Sequence, residues 1–184
     1  MQLKQVAALL LLSVGCSGLP GGLGGGGETT PLGKLVKVEK RQRAALKGEA
    51  RSSLTAPPGE TLYLLWFEGK AEIHFEPTLP DYPLQDASGK EFALVFAGSP
   101  TAEGALTTEG WHFESGGKMS MGGRWAYGGT ARLPEPKVVL VYAVPDAAQG
   151  LKLVDKKQKY ELPAAQPTSD GRSESTGALA LASM

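Results

Sequence analysis

TLYLLWF at residues 61–67 and VVLVYAV at residues 138–144 decide the fold. Both are unbroken apolar runs, as expected of strands covered on both faces or set in the centre of a sandwich. Pro136 and Pro145 bracket the second run, and FALVFA at residues 92–97 is a third. Shorter segments around them alternate with period two. In residues 34–40, Val36 and Val38 fall on one face and Lys37 and Glu39 on the other. In residues 71–75, Ile73 and Phe75 face one way, Glu72 and His74 the other. Residues 151–154 and 159–162 read as closing edge segments.

The connections carry turn chemistry. Pro57-Pro58-Gly59 precedes the first long run. Residues 86–90 (DASGK) stand between Leu84 and Phe92, with Gly89 available for a positive φ. Gly122-Gly123 is placed for a two-residue hairpin between residues 118–121 and 124–127. Only residues 40–51 (KRQRAALKGEAR) have helix-forming composition, and their weak apolar stripe predicts a loop or a short helix. Short strands with Gly and Pro turns predict an all-β domain, a sandwich or a barrel.

Length and composition bound the function. The chain has 184 residues and 19.3 kDa, the size of one domain. Nineteen basic residues balance nineteen acidic ones, which argues against a dedicated nucleic-acid binder. One Cys excludes an intramolecular disulfide and any Cys-rich zinc site. With two His, a His-based metal cluster would need carboxylates to complete it. No cofactor is expected.

Residues 1–16 read MQLKQVAALLLLSVGC. Lys4 supplies a short positive region, and residues 6–12 are apolar, the layout of a secretory signal. A bilayer span takes roughly 20 apolar residues, so this run is too short for one. Its end resembles the lipobox of bacterial lipoproteins, with Gly15 as the small residue before Cys16 and with Val14 and Ser13 ahead of it. Ser13 stands where that family usually has Leu. The resemblance implies cleavage after Gly15, a diacylglycerol on the Cys16 sulfur and a further acyl chain on its amino group. Two or more chains make a stable anchor where one is marginal. Ser17, in place of an Asp after the Cys, implies export to the outer membrane if the host has one.

Residues 18–27 hold seven glycines and no charge, the composition of a flexible linker, and a tether counted over the sixteen residues 17–32 has a reach of roughly 20–24 Å. They lack the Lys and the preceding strand of a phosphate loop. The expected organisation is a signal over residues 1–15, an acylated Cys and tether over 16–33, a β body over 34–162 and a disordered tail over 163–184.

Two stretches of the body look alike in kind to one known domain. LQDASGKEF at residues 84–92 resembles a hairpin of the immunoglobulin-like domain found in many bacterial lipoproteins and secreted antigens. KVVLVYAVPDAAQGLKLVDKKQKYEL at residues 137–162 resembles that domain's closing strands. The resemblance implies an immunoglobulin-like antiparallel β-sandwich behind a lipobox and a tether. It offers no catalytic residues to carry over.

Candidate chemistry is sparse. His74 shares a strand face with Glu72 and Glu76, a spacing that could present ligands on one side but better fits a solvent-facing strand, since a metal site needs a converging third ligand and a second shell. Residues 111–127 (WHFESGGKMSMGGRWAY) are the most suggestive. Trp111, Arg124, Trp125 and Tyr127 could bind a sugar, a peptide or a cell-wall fragment, or could complete the core of a hairpin. Residues 34–51 carry seven basic side chains, a segment that could meet anionic headgroups near the tether or pair with the acidic body. The leading reading is a non-enzymatic lipoprotein of the bacterial envelope, anchored to the lipid bilayer through acylated Cys16. It would act as a binding or assembly module for an envelope protein or cell-wall ligand. The alternative is an envelope enzyme acting on cell-wall polysaccharide or peptide, with carboxylates beside Trp111 or Trp125.

Overall fold

The apolar runs at residues 61–67 and 138–144 lie side by side, antiparallel, in unbroken register from Lys137 opposite Glu68 to Pro145 opposite Glu60. The computed structural model describes residues 29–76, 82–121 and 124–167. Its strands are β1 (Thr29–Thr30), β2 (Gly33–Arg41), β3 (Arg43–Ala45), β4 (Ser53–Thr55), β5 (Glu60–Glu68), β6 (Glu72–Phe75), β7 (Leu84–Gln85) and β8 (Glu91–Phe92). They continue with β9 (Leu94–Pro100), β10 (Leu106–Thr107), β11 (His112–Met121), β12 (Arg124–Arg132), β13 (Lys137–Pro145), β14 (Lys152–Asp155), β15 (Gln158–Glu161) and β16 (Gln166–Pro167). Among the described residues there is no helix, so the fold is all-β.

The largest sheet runs β1-β2-β5-β13-β9-β10, and β16 pairs parallel to β2. Strand register puts Tyr63, Leu65 and Phe67 on one face with Val138, Leu140 and Tyr142. Leu62, Leu64 and Trp66 lie on the other with Val139, Val141 and Ala143. Leu64, Leu65, Leu140 and Val141 are all fully buried, so both faces are covered. Double coverage is why these strands read as continuous apolar runs instead of alternating. Fully burying one such side chain contributes roughly 1.5–3 kcal/mol.

Smaller sheets supply the covering layers. They are β11-β12-β6, β15-β14-β7-β8 and the pair β3-β4. All contribute to one contiguous core, with Ala44 and Leu54 from the short pair, Ile73, Phe75 and Tyr127 from the second sheet, and Leu84 and Leu153 from the third. The architecture is an antiparallel β-sandwich with its central sheet shielded on both sides. The long strands of that sheet follow the order first, second, last, third (β2-β5-β13-β9), as in the ABED sheet of an immunoglobulin domain. The facing hairpin β11-β12 precedes the closing strand β13 in the chain, where an immunoglobulin domain has its F and G strands after it.

Three local expectations are revised. A β-bulge between Leu35 and Lys37 breaks the simple alternation of β2. Val38 then points with Leu35 into the core, and Val36 is left exposed. Residues 40–51 form no helix: β2 runs on to Arg41 and β3 follows, paired with β4. The paired body is also longer than residues 34–162, because β1 and β16 each add a short ladder to β2. The turn at residues 86–90 is as expected. The Asp86 carboxylate accepts from the Ser88 and Lys90 N–H groups at 2.9 and 3.0 Å, and Gly89 has φ 87°. Gly122 and Gly123 lie outside the described residues, and Met121 stands opposite Arg124 across them.

Candidate functional site

The aromatic residues of the stretch at 111–127 are drawn into the core. Trp111, Trp125 and Tyr127 are all buried. Trp125 meets Phe96 edge-on with ring centroids 5.4 Å apart, and Tyr127 stacks on Phe75 at 5.0 Å. The Trp111 indole N–H donates to Ser99 Oγ at 2.8 Å. Buried rings packed on Phe96 and Phe75, with the Trp111 N–H engaged inside, offer no face to a sugar or peptide. The expected binding set of Trp111, Arg124, Trp125 and Tyr127 is therefore replaced by a structural role for its three aromatics. Arg124 opens β12, and its side chain lies outside the described part of the structure.

Near these rings sits a polar knot that has no signal in the sequence. Lys118 Nζ donates to Glu49 Oε2 at 2.5 Å and to Thr108 Oγ1 at 2.7 Å, and Thr108 donates to Glu49 Oε1 at 2.7 Å. The Glu49 side chain is 4% exposed, so the charge is compensated inside the fold. Burial pushes the Tyr127 phenol far above its ordinary pKa; its bond to the Ala97 backbone opposes this, and the nearby Glu49 charge adds to it. Tyr127 stays neutral, and its hydroxyl serves as a hydrogen-bonding group.

An open cleft lies elsewhere, beside β6. The cleft, of about 490 Å³, is lined by Glu72 and His74 from that strand and Glu76 just after it, by Asp155 at the end of β14 and Lys156 beyond, and by Tyr82. The alternation in residues 71–75 explains one wall. Ile73 and Phe75 are buried, which leaves Glu72 and His74 turned outward. The other wall comes from residues about eighty positions later, which no local pattern places there. His74 Nδ1 lies 3.2 Å from Thr130 Oγ1, and His74 Nε2 lies 3.7 Å from Glu76 Oε1. Glu72 meets Arg132 at 3.4 Å, and Arg132 in turn meets Glu114 at 2.8 Å. Among the described residues, no three His, Cys, Asp or Glu side chains converge as metal ligands do. The Tyr82 hydroxyl donates to the His74 carbonyl at 3.2 Å, and the Tyr142 hydroxyl donates to the Tyr82 carbonyl at 2.5 Å. Tyr82 also has φ 49°, a left-handed conformation that is uncommon for a non-glycine residue.

The basic segment does not form one surface. Lys37 and Arg41 both bind Glu39 at 2.7 Å, Lys40 lies over the Tyr63 ring at 5.0 Å, and Arg51 borders a different groove, with Glu60 and Glu91. Cys16 and the rest of residues 1–28 lie outside the described residues, as do residues 168–184. Among the described residues, no helix is long and apolar enough to cross a membrane. No protein-family model matches the chain, and no curated protein or solved structure matches it.

Proposed function

We propose that this chain is a lipid-anchored module of a bacterial envelope that binds and does not catalyse. Cys16 would carry the acyl chains, the glycine-rich stretch at residues 18–27 would space the body from the bilayer, and the cleft beside β6 would be the binding surface. The observation that carries this reading is the position of the chain's one Cys, directly after an apolar run and a small residue and directly before the glycine-rich stretch. The immunoglobulin-like resemblance at residues 84–92 and 137–162 supports it, since such domains often follow a lipobox and a tether. An enzyme acting on cell-wall material called for a carboxylate pocket beside Trp111 or Trp125. Those rings are buried, and the carboxylate near Tyr127, Glu49, is tied to Lys118 and Thr108.

The test is fractionation of a bacterial host expressing the full chain. Wild type is expected in the membrane fraction with an acylated mature N-terminus, and Cys16→Ser in the soluble fraction. A mature chain with an unmodified Cys16 thiol, or membrane retention unchanged in Cys16→Ser, would overturn the anchor.

A further inference from the structure

β6 ends its sheet: β12 pairs with one edge, and no strand among the described residues pairs with the other. Register tells which backbone groups that second edge shows. Ile73 stands opposite Ala131, and the Leu133 N–H donates to the Ala71 carbonyl at 2.8 Å. The backbone of residues 71, 73 and 75 is thus directed at β12. In an antiparallel ladder the residues between them point their N–H and C=O groups the other way. The His74 carbonyl confirms the direction, because it accepts from the Tyr82 hydroxyl and not from β12. Glu72 and His74 therefore line the cleft and direct their backbone groups away from β12, and the His74 carbonyl keeps its second lone pair for an added strand beside the Tyr82 bond.

We propose that this edge of β6 takes up an extended, basic segment of a partner protein as an added strand. Strand addition draws affinity from main-chain hydrogen bonds and specificity from alternate side chains. The cleft supplies both halves of that chemistry. Four carboxylates line it (Glu72, Glu76, Glu91 and Asp155) against two lysines, Lys70 and Lys156. A paired segment puts every second side chain beside Glu72 and Glu76. The side chains between fall on the Phe75 side, where Tyr82 packs edge-on against Phe75 at 6.5 Å. The favoured segment accordingly alternates basic and apolar residues. The inference rests on the reading of the body as a binding module and is independent of the anchor at Cys16.

The test uses the full-length chain in mild detergent and a capped pentapeptide alternating lysine and valine, titrated by calorimetry. Saturable binding is expected, and a glutamate–valine peptide should not bind. N-methylation at alternate residues should weaken binding at least tenfold in one phase and little in the other, because only one set of amides meets β6. His74→Pro removes the outward N–H and leaves the β12 ladder intact, so it should weaken binding at least tenfold with the melting temperature nearly unaltered. Glu91→Lys and Asp155→Lys lie outside β6 and should also weaken it, whatever His74→Pro does to folding. Absence of saturable binding at millimolar peptide, equal affinity of the two N-methylated forms, or full affinity in both lysine variants would overturn the proposal. Release of the Cys16→Ser chain bears on the anchor alone and leaves this result unchanged.

Discussion

The Tyr127 hydroxyl holds both backbone groups of Ala97: it accepts from the N–H at 2.8 Å and donates to the carbonyl at 2.9 Å. Both groups belong to β9, whose outer edge is paired by β10 only at Ser99 and Pro100. One phenol from β12 thus replaces the neighbouring strand that Ala97 lacks and joins the second sheet to the first.

Tyr127→Phe should unseat that join. It keeps the ring against Phe75 and removes the partner of a buried donor and a buried acceptor. An unsatisfied buried group costs about 1–3 kcal/mol, so a loss of about 2–4 kcal/mol is expected in denaturant unfolding. The Ala97 amide should also exchange with solvent faster; unchanged exchange there would contradict the role.

Glu39 should make stability fall in acid. Burial pushes its carboxyl up, but the Lys37 hydrogen bond and the charges of Arg41 and Lys37 outweigh this and hold it below the ordinary value. A carboxyl lowered by folding stabilises fully above its unfolded pKa of about 4.3 and loses that contribution as pH falls through the folded value. Glu39→Gln should lower stability by about 1–3 kcal/mol at pH 7 and flatten the dependence below pH 5, as read from melts across pH.

Lys118→Ala should be more damaging than an exposed lysine replacement, because it strands Glu49 inside the fold. Breaking one side of a buried ion pair costs about 3–5 kcal/mol. Partial recovery in the double variant Lys118→Ala with Glu49→Gln, measured as a coupling energy, checks that the two act as a unit.

Gly33→Ala tests the entry to β2. Gly33 has φ 109°, and a Cβ there would run into the Glu68 carbonyl oxygen. Conformational strain alone is worth about 1–3 kcal/mol, so a drop of at least that size is expected by thermal or chemical denaturation.

Two truncations should locate the end of the paired body. Removal of residues 163–184 takes away β16 and Ala165, which packs on the core; removal of residues 168–184 takes away neither. The longer deletion should melt lower than the shorter one by several degrees, and equal midpoints would show that β16 adds nothing to stability.

Much of the fold was legible because its cause is local. The runs at 62–67 and 138–144 are apolar at every position since β5 and β13 are buried on both faces. The Asp86 turn carries its own hydrogen bonds. Alternation at residues 71–75 set Glu72 and His74 on an outward face, which is one wall of the cleft. The features that stayed hidden depend on distant partners. The bulge in β2 is imposed by pairing with β5 and reassigns Val36 and Val38. Glu49 and Lys118 are 69 positions apart. The aromatics of residues 111–127 could be read either way, since the same residue types build binding faces and cores; only the rings packed against Phe96 and Phe75 decide between them.

β2 carries a short ladder on each half of its outer rim, β1 against Gly33 and Lys34 and β16 against Glu39 and Lys40. Thermal breathing of that margin begins with whichever two-residue ladder peels first. Either event is brief and local, and neither uncovers β5 or β13. Fraying at the rim thus precedes global unfolding, and a protease probing that side meets a reversible opening before it meets the interior.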